Sequence, residues 1–491
     1  MGSLDDEHVL LFETSDPNVG VDDLQLRRFE GEERLSEPFR YELTLECPLD
    51  GGVGPDAVRS MLGRQAAIAF GALGVERVAG VLTDIVVYPG RNDGRTSYQA
   101  TLRPRFWLTT LNTKSRIFND TSIPDIIAQI LTQDYAWRDG VDFEMRLSET
   151  YAARSEEYVV QYQETDFDFI SRWLEHFGIF YCFEQTDDGD KLVFLDSNRQ
   201  TVAVPGYEEM TYGFGEPQAM VGEVGDVEQT YSARTSRVHL RDWDWRAPGT
   251  VTADHDVDTE TGFGVYNEYG AHLRSGEGAL IARARAEERL AHSERLTGTS
   301  VTTELAPGCH FTIQNAPLPE LEAKVLLTAV RHFAERAGDS QAAGVDYRNE
   351  WEGIFHATPF RPPCLTPRPR ITGLLTGVID GTTGGSTAAP VDGQGRYKVM
   401  FPFDMYPGEA GRQTRWIRMA QASAGGEYGI HFPLHLGTEV VIAHIDGDPD
   451  RPIIVGAVPN AASPHYIQSD RPTRSAIKTR SSIIIDFEDD A

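Results

Sequence analysis

The stretch from Val391 to Asn460 constrains the fold most, because it alternates apolar and polar residues between closely spaced turns. Apolar side chains recur at every second position at Tyr397, Val399 and Phe401, at Val440 and Ile442, and at Ile453, Val455 and Ala457. A period of two is what a half-buried strand requires. Short strands at this density, about five in seventy residues, predict a small closed barrel of the oligonucleotide/oligosaccharide-binding (OB) type.

A turn-forming segment separates the last two of these runs. It reads Asp446, Gly447, Asp448, Pro449, Asp450 and Arg451. Glycine tolerates most backbone dihedrals, proline fixes its own φ, and aspartate side chains accept hydrogen bonds from nearby amides. We therefore interpret this segment as a structural hairpin turn of the OB domain. The alternative makes its three aspartates calcium ligands, but the segment lacks the twelve-residue loop and closing glutamate of an EF-hand.

Composition excludes several classes of protein. The chain has 491 residues, enough for three or four domains, and a formal net charge of −30. Nucleic-acid binding needs a basic surface, so this charge argues against it.

The acidic start has no signal-peptide pattern, and no apolar run is long enough to span a membrane. We expect cytoplasmic assembly without general secretion, and four widely spaced cysteines that stay free.

The sequence offers no convincing catalytic or metal-binding pattern. It contains no H-E-x-x-H, G-x-S-x-G or Walker A motif. His431 and His435 are four residues apart, but Pro433 between them disfavours a shared helical face. His332 and Glu335 could share such a face, although a lone pair of this kind is usually solvated. We therefore predict no catalytic residue, no cofactor and no metal site.

Two helices stand out in the N-terminal half. The first can be capped by Asp120, Thr121 or Ser122, and it has Pro124 in its first turn and an isoleucine-rich apolar stripe. The second runs from about Thr165 to Phe177 and ends at Gly178, where a left-handed residue is favoured. A third helix is predicted at 277–293 from its Ala-, Arg- and Glu-rich sequence.

The end of the chain carries an apolar run that cannot form a core alone. Its residues are Ile483, Ile484, Ile485 and Phe487. A lone strand of this kind is unstable in water, and three copies wound together would bury its side chains. Burial therefore calls for further strands or other chains, and the family resemblance described next implies that these four residues form the neck of a homotrimer.

Several long motifs resemble one known family. GRYKVMFPFD, LGTEVVIAHIDGDPDRPIIVGAVPN and TRSAIKTRSS are similar to the OB domain and neck of VgrG, the spike of type VI secretion systems. DTSIPDIIAQIL and DFDFISRWLEHFGIFYCFE resemble helical segments of the family's hub region. The motifs occur in the same order, and the resemblance covers nearly the whole chain.

The resemblance implies a mainly β fold with minor α. It implies two tube-like β-barrels in a hub region, then an OB-fold barrel and the start of a trimeric β-helical needle. The implied domains are a first hub barrel at 1–115, a mixed helical and β insertion of the hub at 116–185, a second hub barrel at 186–365 with a helix near 277–293, an OB-fold domain at 366–462, and a neck at 463–491. By this resemblance, the family's long needle would begin near where this sequence stops.

The resemblance also implies a function and its partners. The family forms the structural spike and central baseplate hub of a contractile machine, which punctures target membranes mechanically and delivers effectors. Implied partners are two further copies of the chain, a hexameric tail tube protein of the haemolysin-coregulated type, baseplate proteins, and a PAAR-type tip protein with effectors. Alternatives are the spike of an extracellular injection system or phage-like tail, a tail-associated peptidoglycan hydrolase, and a nucleic-acid-binding OB protein.

Overall fold

The chain forms two compact units. The computed structural model describes residues 9–20, 23–47, 53–71, 76–88, 96–148, 155–213, 220–273, 276–337, 344–381, 388–407 and 414–488. Unit 1 comprises Met1–Thr113, Ser122–Arg154 and Thr165–Pro367, and unit 2 comprises Lys114–Thr121, Ser155–Glu164 and Arg368–Ala491. Strands dominate both units, so the mainly β prediction is confirmed.

Unit 1 is built around one large sheet with smaller sheets and helices attached. Its N-terminal strands are β1 (Leu11–Thr14), β2 (Gln25–Arg34), β3 (Glu37–Cys47), β4 (Gln65–Phe70), β5 (Glu76–Tyr88) and β6 (Thr96–Arg103). They pair in the order β1-β4-β5-β6-β3-β2. Alternating side chains of these strands enclose the first apolar core, in which Phe29, Tyr41 and Leu43 are fully buried.

The middle of the chain supplies the remaining strands of unit 1 and two strands that reach unit 2. They are β7 (Thr113–Ser122), β8 (Phe143–Arg146), β9 (Ser155–Thr165), β10 (Phe180–Thr186), β11 (Gly189–Leu195), β12 (Val202–Ala203), β13 (Glu209–Tyr212), β14 (Glu223–Tyr231), β15 (Arg237–Asp244), β16 (Gly249–Asp256), β17 (Val265–Tyr269), β18 (Glu294–Ser300), β19 (Cys309–Gln314), β20 (Lys324–Arg336) and β21 (Val345–Phe355). Strands β10 and β11 form an antiparallel hairpin.

Six of these strands close into a barrel. The pairs β13–β14, β14–β18, β18–β21, β21–β20, β20–β19 and β19–β13 form a complete ring. The ring surrounds a second apolar core that includes Phe311, Val325 and Trp351. Closure leaves the ring without a free edge.

The long strand β20 belongs to both halves of unit 1. Its first residues pair with β19 in the closed barrel, and Ala329–Glu335 pair with β2 of the N-terminal sheet. Its side chains follow the same division: Val325 and Leu327 enter the second core, while Ala334 enters the first. One continuous hydrogen-bonded sheet therefore joins the two cores.

Four helices in the described part of the chain lie beside the strands of unit 1. They are α1 (Pro55–Met61), α2 (Ile123–Tyr135), α3 (Asp166–Phe177) and α4 (Gly278–Ala291). The Ser122 and Thr165 hydroxyls accept the capping hydrogen bonds of α2 and α3. Gly178 ends α3 in the left-handed region, with φ of 69°. The three helices predicted from the sequence are confirmed. No described helix is long and apolar enough to cross a lipid bilayer.

Unit 2 contains a five-stranded sheet and two added pairs of strands. The sheet consists of β22 (Leu375–Asp380), β23 (Lys398–Met400), β24 (Arg418–Met419), β25 (Glu439–His444) and β26 (Pro452–Ala457). It pairs in the order β23-β22-β25-β26-β24. Its core includes Val399, Ile442 and Ile454, together with Tyr158 and Val160 from β9. The remaining strands are β27 (Arg474–Lys478) and β28 (Ile484–Glu488).

Parts of the implied hub insertion belong to unit 2. The domain division keeps all of 116–185 in the hub, whereas parts of β7 and β9 lie in unit 2 and contribute to its core. The five-part division otherwise remains a prediction. Residues 489–491 of the implied neck lie outside the described residues.

Candidate assembly surfaces

The segment Asp446–Arg451 connects β25 to β26. These strands are antiparallel, and His444 pairs with Pro452. A single 3-10 turn at Ile445–Gly447 reverses the chain, with Asp446 at φ 53° and Gly447 at φ 72°. Aspartate and glycine are among the residues that adopt this left-handed conformation at low cost.

The aspartates of this turn bind backbone amides. Asp448 Oδ1 accepts a hydrogen bond of 2.9 Å from the Asp450 amide. Asp450 Oδ1 accepts one of 2.6 Å from the amide of Val160 in β9. Arg451 Nε lies 3.5 Å from Asp448 Oδ2. The turn therefore anchors β9 to the OB sheet within unit 2. Within either unit taken alone, no three His, Cys, Asp or Glu side chains of the described residues place their metal-ligating atoms within 4.8 Å of one another.

The apolar end of the chain forms one strand of a hairpin. Strand β28 pairs with β27 of the same chain, with Ile485 opposite Ile477. The expectation of a lone strand is therefore wrong, because β27 already satisfies one edge of β28. The side chains nevertheless remain uncovered: Ile483, Ile484, Ile485 and Phe487 are 67%, 44%, 55% and 65% exposed.

A second exposed apolar surface in unit 2 escaped the sequence analysis. Residues 422–433, which we call the arm, are all exposed and bend back through hydrogen bonds between Gly425 and Tyr428 and between Ile430 and Ser423. Tyr428, Ile430 and Phe432 are its large exposed apolar side chains. Their alternation resembles that of a strand with one buried face, so the sequence pattern alone does not show that the side chains are exposed.

Unit 1 contains a buried polar cluster that includes Tyr41 and Tyr347 of its first core. Tyr41 donates a hydrogen bond to Glu33, and the hydroxyl of Tyr347 lies 2.7 Å from His332 Nδ1. His332 Nε2 is 3.9 Å from Glu33 Oε1 and has no hydrogen-bond partner in the described part of the chain. His332 lies in strand β20 with its ring buried, so the helical face considered for His332 and Glu335 is wrong.

Burial shifts the pKa values of Glu33 and His332 in this cluster. Loss of hydration raises the pKa of Glu33 to about 7, against a smaller lowering by the Tyr41 hydrogen bond. Burial also lowers the pKa of His332 to about 3. Both side chains are therefore neutral over much of the range below pH 7, as buried groups without ionic partners tend to be. We assign the cluster a structural role.

The comparisons with known proteins match both halves of the sequence. Residues 32–338 match the family described as phage tail baseplate hub (GPD), and residues 385–458 match the type VI secretion system/phage-baseplate injector OB domain. The Pseudomonas aeruginosa type VI secretion system spike protein VgrG1a is 30% identical, over 94% of this chain and 72% of its own length. The chain belongs to the VgrG family. The resemblance seen in its motifs is thereby confirmed.

Two further similarities agree with VgrG membership. The spike protein VgrG1b of the same bacterium is 32% identical over 95% of this chain, which spans 63% of that relative's length. The Escherichia coli c3393 protein, described as a type VI secretion component similar in structure to bacteriophage T4 tail proteins gp27 and gp5, has a TM-score of 0.65 and 25% identity. That similarity covers 91% of this chain and 99% of the solved chain.

Proposed function

We propose that the chain is the structural spike and central baseplate hub of a contractile injection machine of the type VI class. The observation that carries this proposal is VgrG family membership over both the hub and the OB regions. The chain acts mechanically, without catalysis and without binding nucleic acid. Its net charge of −30 is consistent with the last point.

Within that machine the chain works as a homotrimer. The exposed apolar side chains of the neck hairpin and of the arm support self-association of unit 2. Contiguous apolar surface on a soluble protein commonly marks an interface. The hub region docks on the hexameric tube protein and on baseplate proteins, while a PAAR-type tip protein and effectors bind beyond the neck. The protein assembles in the cytoplasm and contacts membranes only by puncture.

Co-purification with the tube protein tests this function. The full chain and a tagged hexameric tube protein of the haemolysin-coregulated type are mixed and separated by size. We expect one trimer to elute with one hexamer, since three chains with two implied hub barrels each would present six barrels to six tube subunits. A mixture that never co-elutes at micromolar concentration would contradict the docking proposal.

A peptidoglycan-clearing assay tests the absence of catalysis. We expect the purified chain to clear no more peptidoglycan than a heat-denatured sample between pH 5 and pH 8, with lysozyme as the positive control. Clearing above that background would instead support the tail-hydrolase alternative.

A further inference from the structure

A large cleft opens in unit 1 beside helix α4. Its volume is about 670 Å³, and its lining comes from the end of the β8 segment, the 3-10 turn Asn198–Gln200, helix α4 and residues 356–361. This volume falls within the range of ligand-binding clefts. It holds roughly twenty waters at the density of liquid water. A single small ion would leave most of it unfilled.

Arg361 is the buried charged residue that lines this cleft. Its side chain is nine-tenths buried. Nε donates a hydrogen bond of 2.7 Å to Glu287 Oε2. Nη1 donates hydrogen bonds of 2.8 Å each to the carbonyl oxygens of Gly178 and Asp196. These contacts fix the plane of the guanidinium group. The Nη2 amino group has no hydrogen-bond partner in the described part of the chain.

The other charged groups of the cleft leave an excess of positive charge. Arg199 and Arg283 also line it, and Asp196 is its only lining carboxylate among the described residues. Arg199 is exposed and has no ion-pair partner in the described chain, whereas Arg283 shares Glu287 with Arg361. Asp196 and Glu287 offset two of the three guanidinium charges, so the described charged groups at the cleft sum to one positive charge in a chain whose net charge is −30.

The rest of the lining is part polar, from Ser148, Ser197, Asn198 and His356, and part apolar. Leu280 and Ala284 of α4 and the pair Pro359 and Phe360 contribute the apolar part. A fixed arginine beside apolar side chains suits a carboxylate that arrives with apolar neighbours, because guanidinium groups match carboxylates in geometry as well as charge. A peptide segment provides both features, and its length makes use of the whole volume.

We propose that this cleft binds an acidic peptide segment of a partner protein, with a carboxylate of the peptide on Arg361 Nη2 and Arg199. The site lies wholly within unit 1, and peptide binding there requires neither trimer formation nor tube docking. It gives the hub a place to hold a partner by its acidic segment.

Fluorescence anisotropy on the full chain tests the site. The probe is a fluorescein-labelled hexapeptide of alternating glutamate and leucine, and the matched neutral peptide alternates glutamine and leucine. We expect the acidic peptide to bind at least about tenfold more tightly, because charge-assisted hydrogen bonds are the stronger kind. Equal affinity for the two peptides would overturn the proposal.

Variants locate the binding. Arg199→Ala and Arg361→Lys are expected to weaken binding of the acidic peptide about tenfold, since the first removes a charge and the second removes the planar fork. Arg59→Ala, an exposed arginine of α1 outside the cleft, is the matched control and should change affinity less than twofold. Arg199 is exposed, so its variant decides the question even if Arg361→Lys unfolds. Unchanged affinity in Arg199→Ala would rule the site out.

Competition experiments distinguish a cleft that binds peptides from one that binds small anions. Glutarate and inorganic phosphate, added at up to ten millimolar, are expected to displace little of the labelled peptide, because neither fills the apolar part of the cleft. Complete displacement by either at micromolar concentration would reassign the cleft to small anions and overturn the peptide proposal.

Discussion

Two glycines in unit 1 lie opposite aromatic residues on the neighbouring strand. Gly31 pairs with Tyr41, and Gly298 pairs with Trp351. In each case the ring lies over the glycine, where a side chain would otherwise stand. A Cβ on Gly298 would come within 2.5 Å of the Trp351 ring. The absent side chain is therefore part of the packing of both cores.

The substitution Gly298→Ala should destabilise the closed barrel. Trp351 is almost fully buried and has no free space to move into, so the added methyl overpacks the core at a cost of about 1–3 kcal/mol. Thermal unfolding should shift to lower temperature. Gly344→Ala is the control, because nothing lies within 4 Å of its Cβ position. An equal shift for both variants would contradict the argument.

Glu33 should make the stability of unit 1 depend on pH. Its pKa is raised from 4.5 to about 7 by burial, so the folded chain holds this proton more tightly than the unfolded chain. The resulting stability is fully present below pH 4.5 and is lost as pH rises through about 7. Glu33→Gln keeps an acceptor for Tyr41 without the charge. We expect it to stabilise the protein at pH 8 by up to about 3 kcal/mol, and little at pH 5.

The comparison between variants isolates this effect. His332 acts in the opposite direction, because its lowered pKa of about 3 gives stability that is lost as pH falls through that value. The pH profile of the wild type alone therefore mixes the two groups. Exposed Glu335, changed to Gln, is the control and should leave the difference between pH 5 and pH 8 unaltered. Melting temperatures of Glu33→Gln that never exceed the wild type at pH 8 would refute the assignment.

At the scale of elements, helix ends were predictable and strand partners were not. Ser122 is one of the three predicted caps of α2, α3 begins beside the predicted Thr165, and Gly178 ends α3 as predicted, because helix ends depend on residues only a few positions apart. The division of β20 between two cores depends on pairing with β2 and β19, which are distant in sequence. The burial of His332 in β20 also depends on strands that are distant in sequence, so the sequence analysis did not predict it.

Removal of one cap should loosen one helix. The Thr165 hydroxyl accepts a hydrogen bond of 2.9 Å from the Asp168 amide at the start of α3. Thr165→Ala leaves that amide without its partner, at a cost of about 0.5–2 kcal/mol. We expect faster hydrogen–deuterium exchange in the first turn of α3 and unchanged exchange in α2. Thr165→Ser keeps the hydroxyl and should exchange like the wild type; faster exchange there would point to lost methyl packing instead.

At the scale of the whole molecule, the motifs predicted the hub and OB regions but not the composition of the units. Ser155–Glu164 lies far from the OB region in sequence, yet Tyr158 and Val160 pack in the core of unit 2. The sequence of β9 does not indicate which sheet the strand joins, because its pairing partners are distant in sequence. The exposed arm shows the same ambiguity, because alternation alone cannot distinguish a core from an intermolecular surface.

Measurement of the oligomeric state tests whether the exposed neck residues form a trimer interface. We expect light scattering on the intact chain to give the mass of a homotrimer, since burial of an isoleucine side chain contributes on the order of 1.5–3 kcal/mol and each neck exposes three isoleucines and a phenylalanine. Deletion of 471–491 removes the β27–β28 hairpin and should shift the trimer towards monomer at micromolar concentration. The double variant Ile483→Ser/Ile485→Ser should act in the same direction while it retains the hairpin. Val86→Ser, an exposed apolar residue of β5, is the control and should remain trimeric. A well-folded monomer of the intact chain at that concentration would exclude the neck as a trimer interface.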